Sequence, residues 1–322
     1  IGICLAYNGW GVWALVWQAV ISCAIRVVVS VVYVRWKPIL KFSRSSFVEL
    51  FKFGSNLLGS NIIYTLYNNI YSLVIGKVFN PTQLGYFSRA EGYAKLIPIN
   101  VSGVLAKILF PILSKTQNDD EEMMRLYHRF ILVTSAILFP GCLFVVGLAA
   151  PLVSLLITDK WMPIVPLLQI LSFAGVFEHF TSINSNFILA KGKSNLFLHM
   201  HLITKIVGIL ILLVSVIFNL TVVAWGKVLY SLVCLLVSYY YLRKIIAMKL
   251  SNDFGDILKI FILSGGIAIG DIMIFNQIYY TWLSLLCVLM VNCIVYLLGL
   301  YYLCPHVVAM LKQLYKSKDA NS

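Results

Sequence analysis

Six charged side chains stand inside long apolar stretches of this sequence. They are Arg26, Lys95, Lys107, Glu178, Lys205 and Lys227. An isolated charge in hydrocarbon costs at least about 2.5 to 3.5 kcal/mol even on the lenient insertion scale, so such residues usually face a partner or a cavity. Five of the six are cationic. A chamber lined by these side chains would therefore suit an anionic ligand.

The alternative for each charge is that a long side chain snorkels to the membrane interface. We expect snorkelling at Lys95 and Lys227, which lie near the ends of apolar stretches. Both interpretations stay open for Lys107 and Lys205, and the remaining two charges lie deeper and are expected to face a cavity. Asp271 lies close enough to the end of a stretch to be reached by solvent.

A second polar feature is a stripe along one side of a predicted helix. Its members recur at spacings of three, four and seven residues. They are Asn56, Ser60, Asn61, Tyr64, Tyr67, Asn68 and Tyr71. A helix that faces lipid would not tolerate this stripe, so we expect it to line a wet cavity or to pack on other polar helices. Its tyrosines and asparagines could bond sugar hydroxyls.

The sequence lacks the common motifs of enzyme chemistry. It contains no GxSxG, HExxH, Walker or GxGxxG element, and its histidines are not paired with carboxylates at ligand spacing. The seven cysteines lie in apolar stretches, without the close pairs of zinc or redox sites. We therefore predict no enzymatic activity, no metal and no cofactor. Nucleic acid is not an expected partner either, because no basic, aromatic-studded soluble module is present.

Transmembrane helices are predicted to position these residues. Hydrophobic residues make up 61% of the 322 positions and charged residues 11%, whereas a soluble domain carries about 25% charged residues. The apolar blocks have the length of about 20 residues that spans a bilayer, without the period of two seen in barrel strands. We predict an all-α polytopic bundle of about nine spans. These are residues 10–34, 54–77, 92–114, 130–157, 163–189, 198–218, 221–242, 257–275 and 280–303.

Lysine and arginine alternate between the two sides of the predicted bundle. Basic residues concentrate in every second connection, while the opposite connections hold little beyond Lys77, Arg89 and Lys160. Because cationic loops stay in the cytoplasm, this pattern predicts a cytoplasmic carboxyl terminus and explains the net charge of +13. Segments 35–53 and 116–129 are interpreted as amphipathic connectors along the interface. The longest connection on the other side runs over residues 77–91.

The chain begins with Ile1, inside an apolar stretch that Asn8 and Gly9 interrupt. No charged start or small-residue cleavage site marks a signal peptide. We interpret the start as the tail of an earlier helix in a longer protein. The alternative is a complete protein with a short first segment.

Four segments carry a resemblance to known proteins. They are NGWGVWALVWQ at 8–18, LYNNIYSLVIGKVFNPTQLGYFSRAEGY at 66–93, PLVSLLITDKWMPIVPLLQILSF at 151–173 and AKGKSN at 190–195. On these segments the chain resembles the Wzx- and WzxC-like polysaccharide flippases of the multidrug/oligosaccharidyl-lipid/polysaccharide exporter superfamily. The second segment is quite specific to WzxC-like members, and the other three are looser.

Similar proteins have two six-helix lobes, often followed by two extra helices, arranged as a V around a central cavity. The resemblance implies that residues 1–53 form the end of the first lobe and a cytoplasmic connector. Residues 54–242 would be the six-helix second lobe, and residues 243–322 the two extra helices with a basic tail.

The resemblance also implies a function, the translocation of an undecaprenyl-pyrophosphate-linked oligosaccharide from the cytoplasmic to the outer leaflet. The expected partners are this lipid-linked oligosaccharide and membrane lipids, with other polysaccharide-assembly proteins as candidates. Eight side chains become candidates for the site. They are Arg26, Lys107, Arg89 and Lys205 for the pyrophosphate, Asn61, Tyr64 and Asn68 for the sugars, and Glu178 for coupling to a proton or sodium gradient.

Two other classes of protein fit the sequence less well. A drug or cation antiporter of the same superfamily should favour acidic residues in its cavity, whereas cations dominate here. An integral-membrane polysaccharide polymerase or ligase would need large outer loops and an acid and base in reach of one another. The sequence offers neither.

Overall fold

The structure is a computed structural model that describes residues 2–7, 9–11, 13–34, 43–246, 253–275 and 279–309. Three predictions fall outside these described residues. They concern most of the first connector, at 35–42, the connection between the last two predicted spans, at 276–278, and the basic tail at 310–322.

The chain forms two compact units, Ile1–Leu50 and Phe51–Ser322. The first unit contains helices α1 (Gly2–Tyr7) and α2 (Trp13–Val34). Helix α3 (Arg44–Val78) contributes residues to both units.

The second unit contains the remaining helices, and a 3-10 turn over Asp159–Ile164 directly precedes the helix that begins at Val165. These helices are α4 (Pro81–Ala94), α5 (Leu96–Lys115), α6 (Asp120–Gly147), α7 (Ala149–Leu156), α8 (Val165–Ala190), α9 (Ser194–Ser215), α10 (Leu220–Arg243), α11 (Asp253–Phe275) and α12 (Trp282–Leu303).

The prediction of an all-α membrane bundle is confirmed, and no strand occurs in the part of the chain that the structure describes. Within the described ranges, eight helical segments are long and apolar enough to cross a membrane. They are Val16–Tyr33, Leu96–Lys115, Asp120–Gly147, Asp159–Ala190, Ser194–Ser215, Leu220–Arg243, Phe254–Phe275 and Trp282–Leu303. The remaining predicted span, 54–77, is helical as part of α3. Because of its polar stripe, it is less apolar than the eight segments.

The connection expected over residues 77–91 is instead largely helix α4. Asn80 caps this helix, because its side-chain oxygen accepts a hydrogen bond from the backbone N–H of Gln83 at 2.8 Å. Pro81 follows at the first helical position, where its fixed φ favours a helix start. Helices α4 and α5 then meet at Lys95. The prediction that residues 77–91 are a connection outside the helices was wrong, because Asn80 and Pro81 start a helix within it.

The connector predicted over 116–129 is also mostly helix, since α6 begins at Asp120 and continues to Gly147. Asp119 caps this helix by accepting from the backbone N–H of Glu122 at 3.0 Å. Three acidic residues, Asp120 to Glu122, occupy the first turn, where negative charge is favourable next to unpaired amide groups. The acidic residues thus start α6, and the expectation of a separate interfacial connector was wrong.

Helix α8 lies at the centre of the second unit and contacts α4, α5, α6, α9 and α10. Helix α11 packs on α6, and α12 packs on α11 and α7. Small residues allow this close approach, as is usual between membrane helices. At Gly175 of α8, for example, an added Cβ would lie 3.0 Å from Cγ of Pro98 on α5.

Asp271 on α11 does not reach solvent as the sequence predicted. Its residue surface is 1% exposed, and its Oδ2 accepts a hydrogen bond from Nδ2 of Asn292 on α12 at 2.8 Å. The other side of the aspartate lies against Gly147 of α6, where an added Cβ would be 2.9 Å from Oδ2. The packing of α11 between α6 and α12 therefore buries a carboxylate that sequence position alone placed near water.

Candidate functional site

A cavity of about 420 Å³ lies within the second unit. Residues of α3, α4, α8, α9 and α10 line it, together with the junction between α4 and α5. This volume falls in the usual range of ligand pockets, about 300 to 1,000 Å³. Its charged lining side chains are Glu91, Lys95, Glu178, Lys205 and Lys227. With three lysines and two glutamates, the wall carries an excess of positive charge when all five are ionised.

Helical spacing puts the lining side chains of each helix on the face that borders the cavity. Residues three and four apart share a face of a helix, and the lining residues follow that rule on each element. On α9 they include His201 and Lys205, and on α10 Lys227 and Tyr230. The face contributed by α8 is polar between Glu178 and Asn186. The polar residues are Glu178, Thr181, Ser182, Ser185 and Asn186, and they are flanked by the apolar residues Leu171, Ala174, Gly175 and Leu189.

Lys205 is buried in the wall, with 7% of its surface exposed. Its Nζ donates a hydrogen bond to the hydroxyl of Tyr230 at 2.5 Å. The same Nζ lies 4.9 Å from the ring centroid of Tyr64, 4.5 Å from that of Tyr67 and 5.1 Å from that of Tyr230. Cation–π contacts of this kind contribute about 2 kcal/mol or more when desolvated. We call these three tyrosines and Lys205 the aromatic cage.

The cage depends on a glycine in α9. Gly208 lies one helical turn from Lys205, and an added Cβ there would be 2.8 Å from Cε2 of Tyr67 and 2.7 Å from Cε2 of Tyr230. These two rings stack with centroids 5.3 Å apart and an interplanar angle of 23°. The missing side chain at Gly208 thus leaves the space in which the stacked rings lie next to Lys205.

No carboxylate among the described residues lies within ion-pair distance of Lys205. Aromatic rings stabilise a cation without neutralising it. The charge of Lys205 is therefore available to an anion in the cavity.

The other two lysines share one carboxylate. Oε1 of Glu91 accepts from Nζ of Lys95 at 2.9 Å and lies 3.1 Å from Nζ of Lys227. The Lys227 side chain is 11% exposed, and its Nζ lies 3.7 Å from the ring centroid of Tyr71. Snorkelling, which the sequence predicted for Lys95 and Lys227, was wrong. Their partner was assigned to a loop and so was not considered.

Three buried polar atoms in the wall find no hydrogen-bond partner among the described residues. They are the hydroxyl of Tyr67, Oγ1 of Thr181 and Nδ1 of His201. Leaving a buried donor or acceptor unsatisfied costs about 1 to 3 kcal/mol. A polar ligand that contacted these atoms would recover that free energy, so the wall combines positive charge with unused hydrogen-bonding capacity.

Four of the eight predicted site residues lie in the cavity wall, namely Tyr64, Asn68, Glu178 and Lys205. The others are exposed and are not among its lining residues. Asn61 lies on α3, Arg89 on α4 and Lys107 on α5, while Arg26 lies on α2 in the first unit. Their roles stay predictions.

Six residues of the site were not among the eight predicted site residues, namely Glu91, Lys95, Lys227, Tyr67, Tyr71 and Tyr230. Glu91 and Lys95 could have been found from their spacing of four, which predicts an ion pair on a helix, had the segment been recognised as helical. Tyr67 and Tyr71 were in the polar stripe but were not singled out. Nothing in the sequence pointed to Tyr230, because its role depends on which face of α10 meets α3 and α9.

A family model and several known proteins resemble this chain, and their names agree in describing polysaccharide biosynthesis or transport. A family model described as polysaccharide biosynthesis protein matches residues 1–166. The teichuronic acid biosynthesis protein TuaB of Bacillus subtilis (strain 168) is 23% identical over 241 residues, which cover 73% of this chain and 49% of TuaB. The lipopolysaccharide biosynthesis protein WzxC of Escherichia coli (strain K12) is 27% identical over 158 residues, covering 49% of this chain and 32% of WzxC.

A third relative is the succinoglycan biosynthesis transport protein ExoT of Rhizobium meliloti (strain 1021), 25% identical over 54% of this chain and 35% of ExoT. This chain thus spans about half or less of the length of these three relatives. Among solved structures, the lipid II flippase MurJ in an inward closed conformation matches with a TM-score of 0.66 and 17% identity. The match covers 95% of this chain and 65% of MurJ, and at this identity it shows a shared fold.

Proposed function

This chain belongs to the family of polysaccharide biosynthesis proteins, and on that premise we propose that it acts in a flippase for lipid-linked sugars. The cargo would be an undecaprenyl-pyrophosphate-linked oligosaccharide. It would cross the cytoplasmic membrane for the assembly of a surface polysaccharide, without the making or breaking of a covalent bond. The names of the relatives and of the structural neighbour support this proposal.

The observation that carries the proposal is the state of Lys205. It is a buried cation, held by aromatic rings, with no carboxylate in ion-pair range among the described residues. It stands in a cavity within a bundle of membrane-spanning helices. A charge in such a place is costly unless a partner or a cavity offsets it, and an anionic headgroup would be that partner.

The size of the cavity fits part of such a cargo. A volume of about 420 Å³ lies towards the lower end of ligand pockets. It suits a diphosphate and the sugar next to it better than a long oligosaccharide. The polyprenyl tail would remain in the bilayer, where its apolar surface is already solvated by lipid.

The proposed roles follow the chemistry of each side chain. Lys205 contacts the diphosphate, Tyr64 and Asn68 contact sugar hydroxyls, and Glu178 couples transport to a proton or sodium gradient. The exposed candidates Arg26, Lys107, Arg89 and Asn61 remain proposed contacts for the cargo outside this cavity.

Translocation of lipid-linked oligosaccharide into proteoliposomes tests the function. The protein expressed at full length should transport it, and Lys205→Met, which keeps the bulk of the side chain but removes its charge, should reduce the rate by about a hundredfold if the diphosphate contact contributes about 3 kcal/mol. The matched control is Lys193→Met, because Lys193 is exposed in the turn before α9. It should transport at the normal rate. Normal transport by folded Lys205→Met protein would contradict the proposal.

A further inference from the structure

Glu91 forms ion pairs with two of the three lysines of the cavity. Its Oε1 lies 2.9 Å from Nζ of Lys95 and 3.1 Å from Nζ of Lys227. Lys95 stands at the junction of α4 and α5, whereas Lys227 belongs to α10. One carboxylate therefore satisfies two cations that come from separate parts of the fold.

A diphosphate needs more than the single cation that Lys205 offers. Lys227 is placed to be the second, because both lysines lie against the same ring. Nζ of Lys205 is 4.5 Å from the ring centroid of Tyr67, and Nζ of Lys227 is 5.4 Å from it. An anion that reached both ammonium groups would have to take Lys227 from Glu91.

The hydroxyl of Tyr67 gives an independent sign of a ligand at this place. The residue is 3% exposed and lines the cavity, yet its hydroxyl has no hydrogen-bond partner within the described part of the chain. A phenol hydroxyl can donate to a phosphate oxygen. Two ammonium groups and one unused donor thus surround the same ring, which is the donor set that a diphosphate requires.

We propose that Glu91 is an internal counter-ion, which the diphosphate of the cargo displaces from Lys227 on binding and which reclaims Lys227 on release. This inference rests on the proposed function and deepens it. Before binding, Lys95 and Lys227 share the single negative charge of Glu91 in a low-dielectric interior. During binding, Lys227 turns to the ligand while Lys95 holds Glu91.

Two consequences follow from the charge of Glu91. A carboxylate next to a bound anion repels it. Glu91 therefore lowers the affinity for the diphosphate and speeds its release. It also favours a ligand with two negative charges. Such a ligand can contact Lys205 and also replace Glu91 at Lys227, whereas a monoanion on Lys205 has no second charge to offer Lys227.

A purely structural role makes a different prediction. If the Glu91–Lys227 pair only fastens α4 to α10, its loss should destabilise the fold, because a buried cation loses its partner. The affinity for an anion should then be unchanged or weaker. The direction of the change in affinity separates the two roles.

Calorimetric titration of the full-length protein in detergent with inorganic pyrophosphate measures that direction. Glu91→Gln should bind pyrophosphate about tenfold more tightly, equivalent to about 1.4 kcal/mol, and should translocate lipid-linked oligosaccharide more slowly because release is slowed. The control is Glu121→Gln, the same substitution at an exposed residue of α6. It should bind pyrophosphate as the unmodified protein does.

A double-mutant cycle then asks whether the effect passes through Lys227. Lys227→Met should weaken pyrophosphate binding about tenfold, and adding Glu91→Gln to it should no longer give the full gain. A Glu91→Gln gain that keeps its full size in the absence of Lys227 would overturn the proposal. So would a folded Glu91→Gln protein with unchanged or weaker affinity.

Lys227→Met keeps the test decisive if Glu91→Gln fails to fold, because Glu91 retains Lys95 as a partner in that variant. Unchanged pyrophosphate affinity in Lys227→Met would refute the displacement on its own. A different result would contradict the proposed function. If the unmodified protein moves no lipid-linked oligosaccharide but the pyrophosphate affinities shift as described, the function is wrong and the counter-ion stands.

Discussion

Two regions of the second unit bury ionisable groups, and they do so in different ways. In the cavity, Lys205 is surrounded by aromatic rings and Lys227 shares Glu91 with another lysine, beside polar atoms that lack partners among the described residues. Between α6, α11 and α12, Asp271 accepts one amide hydrogen bond and packs directly against Gly147. The first arrangement leaves room and hydrogen-bonding capacity for a ligand, whereas the second fills its space with helix.

The difference teaches that burial of a charge is not enough to mark a binding site in a membrane bundle. Intramembrane charges are functional candidates by default, and by that rule Asp271 and Lys205 would rank equally. What separates them is the surrounding space. Substitutions in the two regions should therefore differ in whether they impair transport or only stability.

The largest of these effects is expected at Gly208, which borders the aromatic cage. Gly208→Ala places a Cβ 2.7 to 2.9 Å from ring atoms of Tyr67 and Tyr230, so the rings must shift away from Lys205. Overpacking of this kind costs about 1 to 3 kcal/mol, and the shifted cage should also lower the translocation rate per folded molecule. Thermal unfolding in detergent and the proteoliposome assay measure the two effects.

A matched control for that substitution is Gly266→Ala on α11, where an added Cβ meets no atom within 4 Å. It should leave both readouts unchanged or raise stability by about 0.5 to 1 kcal/mol, the usual gain from alanine within a helix. A Gly208→Ala protein that loses stability but transports normally would show that the cage geometry is not needed by the cargo.

An effect on stability alone, without an effect on transport, is expected at Gly147 in the packed region. An alanine Cβ there would lie 2.9 Å from the backbone oxygen of Ala268 and 2.8 Å from Cβ of Asp271. Backbone yields less easily than a ring, so α6 and α11 should separate slightly, at a cost of about 1 to 3 kcal/mol. Transport per folded molecule should stay normal. A specific loss of transport would place the α6–α11 contact within the transport cycle and remove the contrast between the regions.

Much of the fold could be predicted from the sequence, because span length and apolar character are local properties. The polar stripe of α3 was visible for the same reason, and it contributes Tyr64, Tyr67 and Asn68 to the cavity. Helical spacing indicates which residues share a face. It does not indicate which faces of different helices meet.

The parts of the site that the sequence did not predict are the contacts between residues of different helices. The ion pair of Glu91 with Lys227 joins residues far apart in the chain, and the cage requires three helices to converge at Gly208. The error over α4 had a local cause, since the segment was interpreted as a connection although its Asn80 cap favours a helix. Recognising that cap would have paired Glu91 with Lys95 at a spacing of four.

The smallest effect is expected for Asp271→Asn, which sharpens the comparison from the packed side. The amide keeps an oxygen that can accept from Asn292, and it removes a carboxylate from a site with little room for a counter-ion. Stability should therefore change by less than about 1 kcal/mol, and translocation should be normal across pH and sodium concentration. Asp271→Leu should cost about 1 to 3 kcal/mol more, because it leaves the buried amide of Asn292 without its acceptor. If Asp271→Asn instead abolished the response of transport to pH or sodium while stability held, the buried carboxylate of the packed region would be the coupling group. The same role would then have to be withdrawn from Glu178 in the cavity.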